Sequence, residues 1–115
     1  VSSMIWGSQY DAMLKWMKGN SIDVTSTIPT DLSIGATSRN TTRVTGGANK
    51  DKLSNIYDLL GNSFEWTQEA NFTNRRVNRG GTYADSLAPS SRINGFPTDA
   101  DTGSGNGSRL TLYIK

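Results

Sequence analysis

A chain of 115 residues, 34% hydrophobic and 19% charged, with a formal charge of +2, has the length of one domain and enough apolar side chain for a core. It contains no cysteine and no histidine, which excludes disulfides, thiolate nucleophiles, Cys/His zinc sites and imidazole general bases. Its arginines are scattered rather than clustered, so no nucleic-acid partner is expected; no apolar run reaches membrane-spanning length, so no membrane insertion is expected either.

In chain order, the first element predicted is a helix over residues 8–18. Tyr10, Met13, Leu14 and Met17 fall at i, i+3, i+4 and i+7, one apolar stripe. Ser8 is the expected N-cap, Asp11 its capping-box partner, and Gly19 the residue just past the end. Residues 20–54 are polar and punctuated by turn signals. They read as a connecting excursion in which Ile22, Val24, Ile28 and Ile34 could mark brief strands.

Gly61-Asn62 predicts a tight turn. After it Phe64 and Trp66 alternate with polar residues, predicting a strand over 63–67 with Trp66 buried on the face of Phe64. A second strand is predicted at 76–79, ending in Gly80-Gly81, and a third at 109–114, which reads like a strand that closes the fold. The strands are expected to be antiparallel. Between the last two lies a Gly- and Ser-rich stretch with two prolines and no periodicity. Such a long segment inside a compact domain is usually functional. The fold class expected is α+β, with short antiparallel strands, one or two helices and mostly ordered loops. The chain is expected to be one domain over 1–115, the C-terminal part of a longer chain.

Three blocks carry a family resemblance: "NIYDLLGNSFEWT", "RVNRGGTY" and "GSRLTLYI". Together they resemble the formylglycine-generating enzyme (sulfatase-modifying factor) family. The matching positions are Asn55, Asp58, Gly61, Asn62, Glu65, Trp66, Arg76, Val77, Arg79, Gly80, Gly81, Gly107, Arg109 and Leu110. The resemblance implies a C-type lectin-like fold. It does not carry over the family's oxidase chemistry, which depends on cysteines. No enzyme activity is therefore expected, and a divergent or inactive member of that family, or a structural capping module, is the alternative.

The scaffold also resembles the variable proteins of diversity-generating retroelements. In that group adenine-directed mutagenesis rewrites the C-terminal part of such a domain. An Asn codon changed at its adenines reaches Tyr, Ser, Asp, Gly, Arg, Thr, Ala, Phe and others, but never Lys, Glu, Gln, Met or Trp. From Asn71 to Ile114 none of those five types occurs; from Val1 to Ala70 there are 14. At that rate about nine would fall in the later stretch. Loops rich in Gly and Ser also avoid these types, which is the competing explanation.

Gly80-Gly81 is not a phosphate loop, because no Lys-Ser/Thr comes after it. Gly81 is expected in a backbone conformation closed to residues with a Cβ. Arg79 is expected to be buried or half-buried and to satisfy loop carbonyls. Asp85, Asp99 and Asp101 read as turn formers rather than an acid–base pair. Asn62 is expected in a left-handed turn and Glu65 opposite an arginine. No cofactor is expected, with calcium at Asn62 and Glu65 the one ion left open, since some relatives bind it.

The glycine pair is expected to redirect the chain to the surface, so that the residues after Gly81 are presented. The expected contact set lies in two loop stretches, 74–78 and 82–101. It comprises Asn74, Asn78, Thr82, Tyr83, Asp85, Arg92, Asn94, Phe96, Asp99 and Asp101. An aromatic ringed by Asn, Asp and Arg has the composition of a paratope; Phe96 could instead tuck inward and pin its own loop. The resemblance to retroelement proteins implies a protein or glycan receptor as partner, met from a phage tail or a bacterial surface.

Overall fold

The computed structural model describes residues 2–20, 44, 52–59, 61–82, 90–95 and 106–112. They form a small mixed α+β fold, with one helix and eight short strands among the described residues. The apolar stripe builds the helix, α1 (Gly7–Gly19), and buries Tyr10, Leu14 and Met17, with Met13 packed beside them.

Both helix ends differ from the expectation. Trp6, not Ser8, is the N-cap, in extended conformation at φ −80° and ψ 151°. Its N–H donates to Gln9 Oε1 at 2.8 Å, the back-reaching half of a capping box. Gln9 does this work in place of Asp11, whose carboxylate is then available for ion pairs. At the other end Gly19 stays helical and Asn20 is the C-cap. The Asn20 N–H donates to the carbonyls of Trp16 and Met17, and its amide Nδ2 donates to Trp16 O at 2.8 Å. These bonds satisfy the last carbonyls without a left-handed glycine.

The strands form three sheets. β1 (Ser2–Met4) pairs antiparallel with β8 (Leu110–Leu112), so the terminal strand does close onto the beginning of the described chain. β2 (Lys52–Leu53) and β3 (Ile56–Tyr57) form a hairpin. Its turn residues Ser54 and Asn55 both have positive φ, 49° and 64°, as the tight turn favoured in two-residue hairpins requires. The third sheet runs β6 (Ile93–Gly95), β5 (Arg75–Arg79), β4 (Phe64–Phe72), β7 (Asn106–Ser108).

β4 is longer than predicted and pairs antiparallel with β5, with register shifts between Trp66 and Ala70 and between Ala70 and Phe72. β7 lies parallel to β4, against the expectation of antiparallel strands throughout. β6 and β7 lie at opposite edges of this sheet, and β7 runs in the direction of β4. The strand predicted at 109–114 is broken at Arg109, whose carbonyl accepts the Ile5 N–H at 3.1 Å. The brief strands expected around Ile22, Val24, Ile28 and Ile34 lie outside the described residues, as do residues 113 and 114.

The core cluster joins Ile5, Tyr10, Leu14, Met17 and Leu59, with Ile56 and Met13 against it. Each such side chain, fully buried, stabilises by about 1.5–3 kcal/mol before the entropy of ordering is charged. On the sheet, Glu65, Thr67, Val77 and Arg79 are buried on one face and Asn78 opposite Trp66 on the other, while Phe64 and Trp66 are only half-buried. The period-two reading put Phe64 and Trp66 on one face correctly and chose the wrong face as core. The face turned to α1 is mostly polar. Thr67 Oγ1 donates to Val77 O at 2.9 Å, and Glu65 and Arg79 are held by ion pairs described below.

Candidate ligand-binding face

Gly80 and Gly81 come directly after β5 with φ of 89° and 73°, a region that residues with a Cβ rarely enter. A Cβ on Gly80 would also sit 3.2 Å from both Leu59 O and the Tyr10 hydroxyl. The turn locks inward: the Gly61 N–H donates to Gly80 O at 2.8 Å, and the Tyr10 hydroxyl donates to Leu59 O at 3.1 Å. Burial pushes the Tyr10 phenol well above its ordinary pKa, so it stays a donor. Gly80, Gly81 and Thr82 are all buried. The glycine pair therefore does not present the next residue, and Thr82 belongs to the scaffold.

Arg79 is fully buried, as expected, but its partners are carboxylates rather than loop carbonyls. Its Nη2 donates to Asp11 Oδ1 at 2.5 Å, Nη1 lies 4.0 Å from Glu69 Oε2, and the guanidinium stacks 4.8 Å from the centre of the Tyr10 ring. Among the described residues Arg79 Nε and Nη1 and Glu69 Oε2 have no hydrogen-bond partner. Arg92 reaches the same two acids from the exposed side. Its Nε donates to Glu69 Oε1 at 2.9 Å and its Nη2 to Asp11 Oδ2. The Glu69 carboxylate also covers Gly7 in the first turn of α1, where a Cβ would meet Oε2 at 1.8 Å.

β6 is fixed a second way. A Cβ on Gly95 would lie 2.3 Å from Trp66 Cη2 and 2.7 Å from Cζ3, so the indole lies against bare backbone. The segment 92–95 is thus strand-paired to β5, ion-paired through Arg92 and packed on Trp66 through Gly95.

The expected contact set divides accordingly. Asn74 is exposed at the β4–β5 turn. Asn78 is buried and not presented: it lies in β5 opposite Trp66, and its Nδ2 donates to Asn106 Oδ1 at 3.3 Å. The stretch 74–78 is therefore mostly strand, not loop. Arg92 is exposed but held by two carboxylates. Asn94 lies in β6 opposite Val77. Tyr83, Asp85, Phe96, Asp99 and Asp101 lie outside the described residues. The acids Asp11 and Glu69, which organise this region, were missed. Their only signal in the sequence was that the arginines after Asn71 need carboxylates from somewhere.

A groove of about 820 Å³ opens on the other side of the helix, between Ile5, Met13, Ile56, Glu65, Arg109 and Leu110. Arg109 grips Glu65 with Nε at 3.0 Å from Oε2 and Nη2 on Oε1, and donates from Nη2 to Tyr57 O at 2.9 Å. Burial raises the Glu65 carboxyl pKa, against the opposing pull of Arg109. A buried acid with a raised pKa is a candidate general base, but both Glu65 oxygens are occupied by the arginine. Asn62 stands at φ 62°, a left-handed turn as expected. Among the described residues no group of three or more acids forms a metal cradle, and no helix is long and apolar enough to cross a membrane.

No family model matches the chain, and neither a curated protein nor a solved structure matches it.

Proposed function

We propose that this chain is a non-enzymatic, lectin-like binding domain whose C-terminal stretch is a variable face. In this reading it is diversified by a retroelement, carried on a phage tail or a bacterial surface, and directed at a protein or glycan receptor. The observation that carries the reading is the complete absence of Lys, Glu, Gln, Met and Trp from Asn71 to Ile114, against 14 such residues before it. That boundary supports it further by falling near the end of β4, where the chain leaves the sheet for an exposed turn. Glu65, the buried acid beside the groove, has both oxygens engaged by Arg109, so it is not poised as a base.

The test is the DNA beside the coding sequence and the sequences of sibling copies. A near-copy of the 3′ end with adenines at the differing positions, next to a reverse transcriptase gene, is the expected result. Siblings should differ at Asn74, Tyr83, Asp85, Asn94, Phe96, Asp99 and Asp101. They should agree at Gly61, Asn62, Trp66, Arg79, Gly80 and Arg109, and also at Asn78 and Arg92, which the scaffold uses. Variation spread evenly along the chain, or concentrated before Asn55, refutes the proposal.

A further inference from the structure

Three stretches, Asn40-Thr41-Thr42, Asn71-Phe72-Thr73 and Asn106-Gly107-Ser108, match Asn-x-Ser/Thr, the acceptor pattern for N-linked glycans. A chain rich in Asn, Ser and Thr meets this pattern by chance, so the pattern alone selects none of them. The structure separates two of the three; Asn40 lies outside the described residues.

Asn106 is half-buried in β7, which pairs along β4 with Asn106 opposite Phe64. Its Oδ1 accepts from Nδ2 of the buried Asn78 at 3.3 Å. A transferring enzyme would have to lift β7 off the sheet to reach it. Asn71 stands at the other extreme: Asn71, Phe72 and Thr73 are all exposed. Ala70 lies opposite Arg76 and Phe72 opposite Arg75, so Asn71 is the extra residue of a β-bulge, a device that bends a strand and re-aims a side chain. The three residues lead from the end of β4 into the turn Thr73-Asn74. The pairing of β7 with β4 ends at Trp66, so among the described strands this end of β4 has β5 as its one neighbour.

We propose that Asn71 is an acceptor for an N-linked glycan. Its Nδ2 attacks the anomeric carbon of a sugar carried on a lipid diphosphate. The bond from that carbon to the diphosphate oxygen breaks, the lipid diphosphate leaves, and one amide proton passes to the enzyme. Thr73 supplies the hydroxyl by which the enzyme recognises the acceptor. The transfer takes place outside the cytoplasm, so the inference rests on that part of the proposed function which puts the chain on a bacterial surface. The glycan stands beside Asn74, the exposed residue of the expected contact set, and covers the hairpin end of the binding face.

The test incubates the purified, folded chain with a single-subunit oligosaccharyltransferase and a lipid-linked oligosaccharide, and locates the sugar by peptide mass mapping. Isolated peptides spanning Asn71 and Asn106 serve as references. Both peptides should be modified, but the folded chain at Asn71 and not at Asn106. Asn71→Gln and Thr73→Ala should each lose the sugar while melting as the parent does, because both positions are exposed. No sugar on Asn71 of the folded chain, whatever the peptides show, overturns the inference. So does a folded chain modified as fully at Asn106 as at Asn71. Sibling sequences decide the variable-face reading separately: even variation along the chain refutes that reading and leaves a modified Asn71 standing.

Discussion

Asp11→Ala changes a half-exposed residue on the surface of a helix, and such changes usually stay within about 0.5 kcal/mol. Here it should destabilise by about 2–3 kcal/mol. The Arg79 side chain is 0% exposed, and among the described residues its one side-chain hydrogen bond goes to Asp11 at 2.5 Å. Without Asp11 the buried guanidinium keeps, among the described residues, Glu69 at 4.0 Å and the Tyr10 ring. Removing one partner of a buried pair costs about 3–5 kcal/mol, because the other charge is stranded. The remaining attraction of Glu69 brings the figure to the lower end or just below it. The same reasoning predicts a reversal. In Asp11→Ala/Arg79→Met no buried cation is stranded, Glu69 keeps Arg92, and a side chain of similar length fills the site, so the double variant should recover about 1 kcal/mol or more. Urea denaturation followed by far-UV circular dichroism measures both. The reasoning fails if Asp11→Ala lies within about 0.5 kcal/mol of the parent, or if the double variant is less stable than Asp11→Ala alone.

Gly95→Ala should destabilise by about 1–3 kcal/mol, because the new methyl overlaps the Trp66 ring; thermal melts should show Trp66→Leu in the same chain recovering part of the loss, and no recovery would place the strain elsewhere. Glu65 titrates with the opposite sign to most paired acids. Its folded pKa is raised by burial, so the folded state holds its proton more tightly than the unfolded one, and its contribution to stability falls as pH rises from about 4.3, the ordinary Glu value, through the raised folded value. Glu65→Gln removes that titration. The stability of the parent relative to Glu65→Gln should therefore improve on acidification across this window, and a difference in urea midpoints that is flat with pH contradicts it.

The features legible in the sequence were those that depend on neighbours in the chain. The stripe of Tyr10, Leu14 and Met17 set the helix and its buried side. The alternation after Asn62 located β4, and the glycine pair located the end of β5. The features that could not be read depend on distant partners. Phe64 and Trp66 look like core and Glu65 like surface until Arg109 arrives from 44 residues away to neutralise the acid. Asp11 looks like a capping residue because its arginines lie 68 and 81 residues further on. Asn78 and Thr82 have the composition of presented loop residues and are buried by the sheet register and the inward lock of Gly80. The polar composition of the later stretch was informative, but it did not separate residues that meet solvent from those that hold the stretch in place.

The ion pairs make that separation. Asp11, Glu65 and Glu69 all precede Asn71; Arg79, Arg92 and Arg109 all come after it. Every one of these pairs therefore joins the first part of the chain to the stretch that lacks Glu and Lys. An arginine at these three positions meets a carboxylate already held by a helix or a strand, so the later stretch can be anchored without supplying acids of its own. The arrangement also limits how far that stretch can change. A neutral residue at 79 would leave a buried Glu69 oxygen and Asp11 without their inner partner. A neutral residue at 109 would leave Glu65 charged in a site that already disfavours its charge. Change at the hairpin tip carries no such penalty, because Phe72, Thr73 and Asn74 are exposed. The boundary between positions free to vary and positions that are not therefore runs through the C-terminal stretch residue by residue, and the paired arginines mark its fixed side.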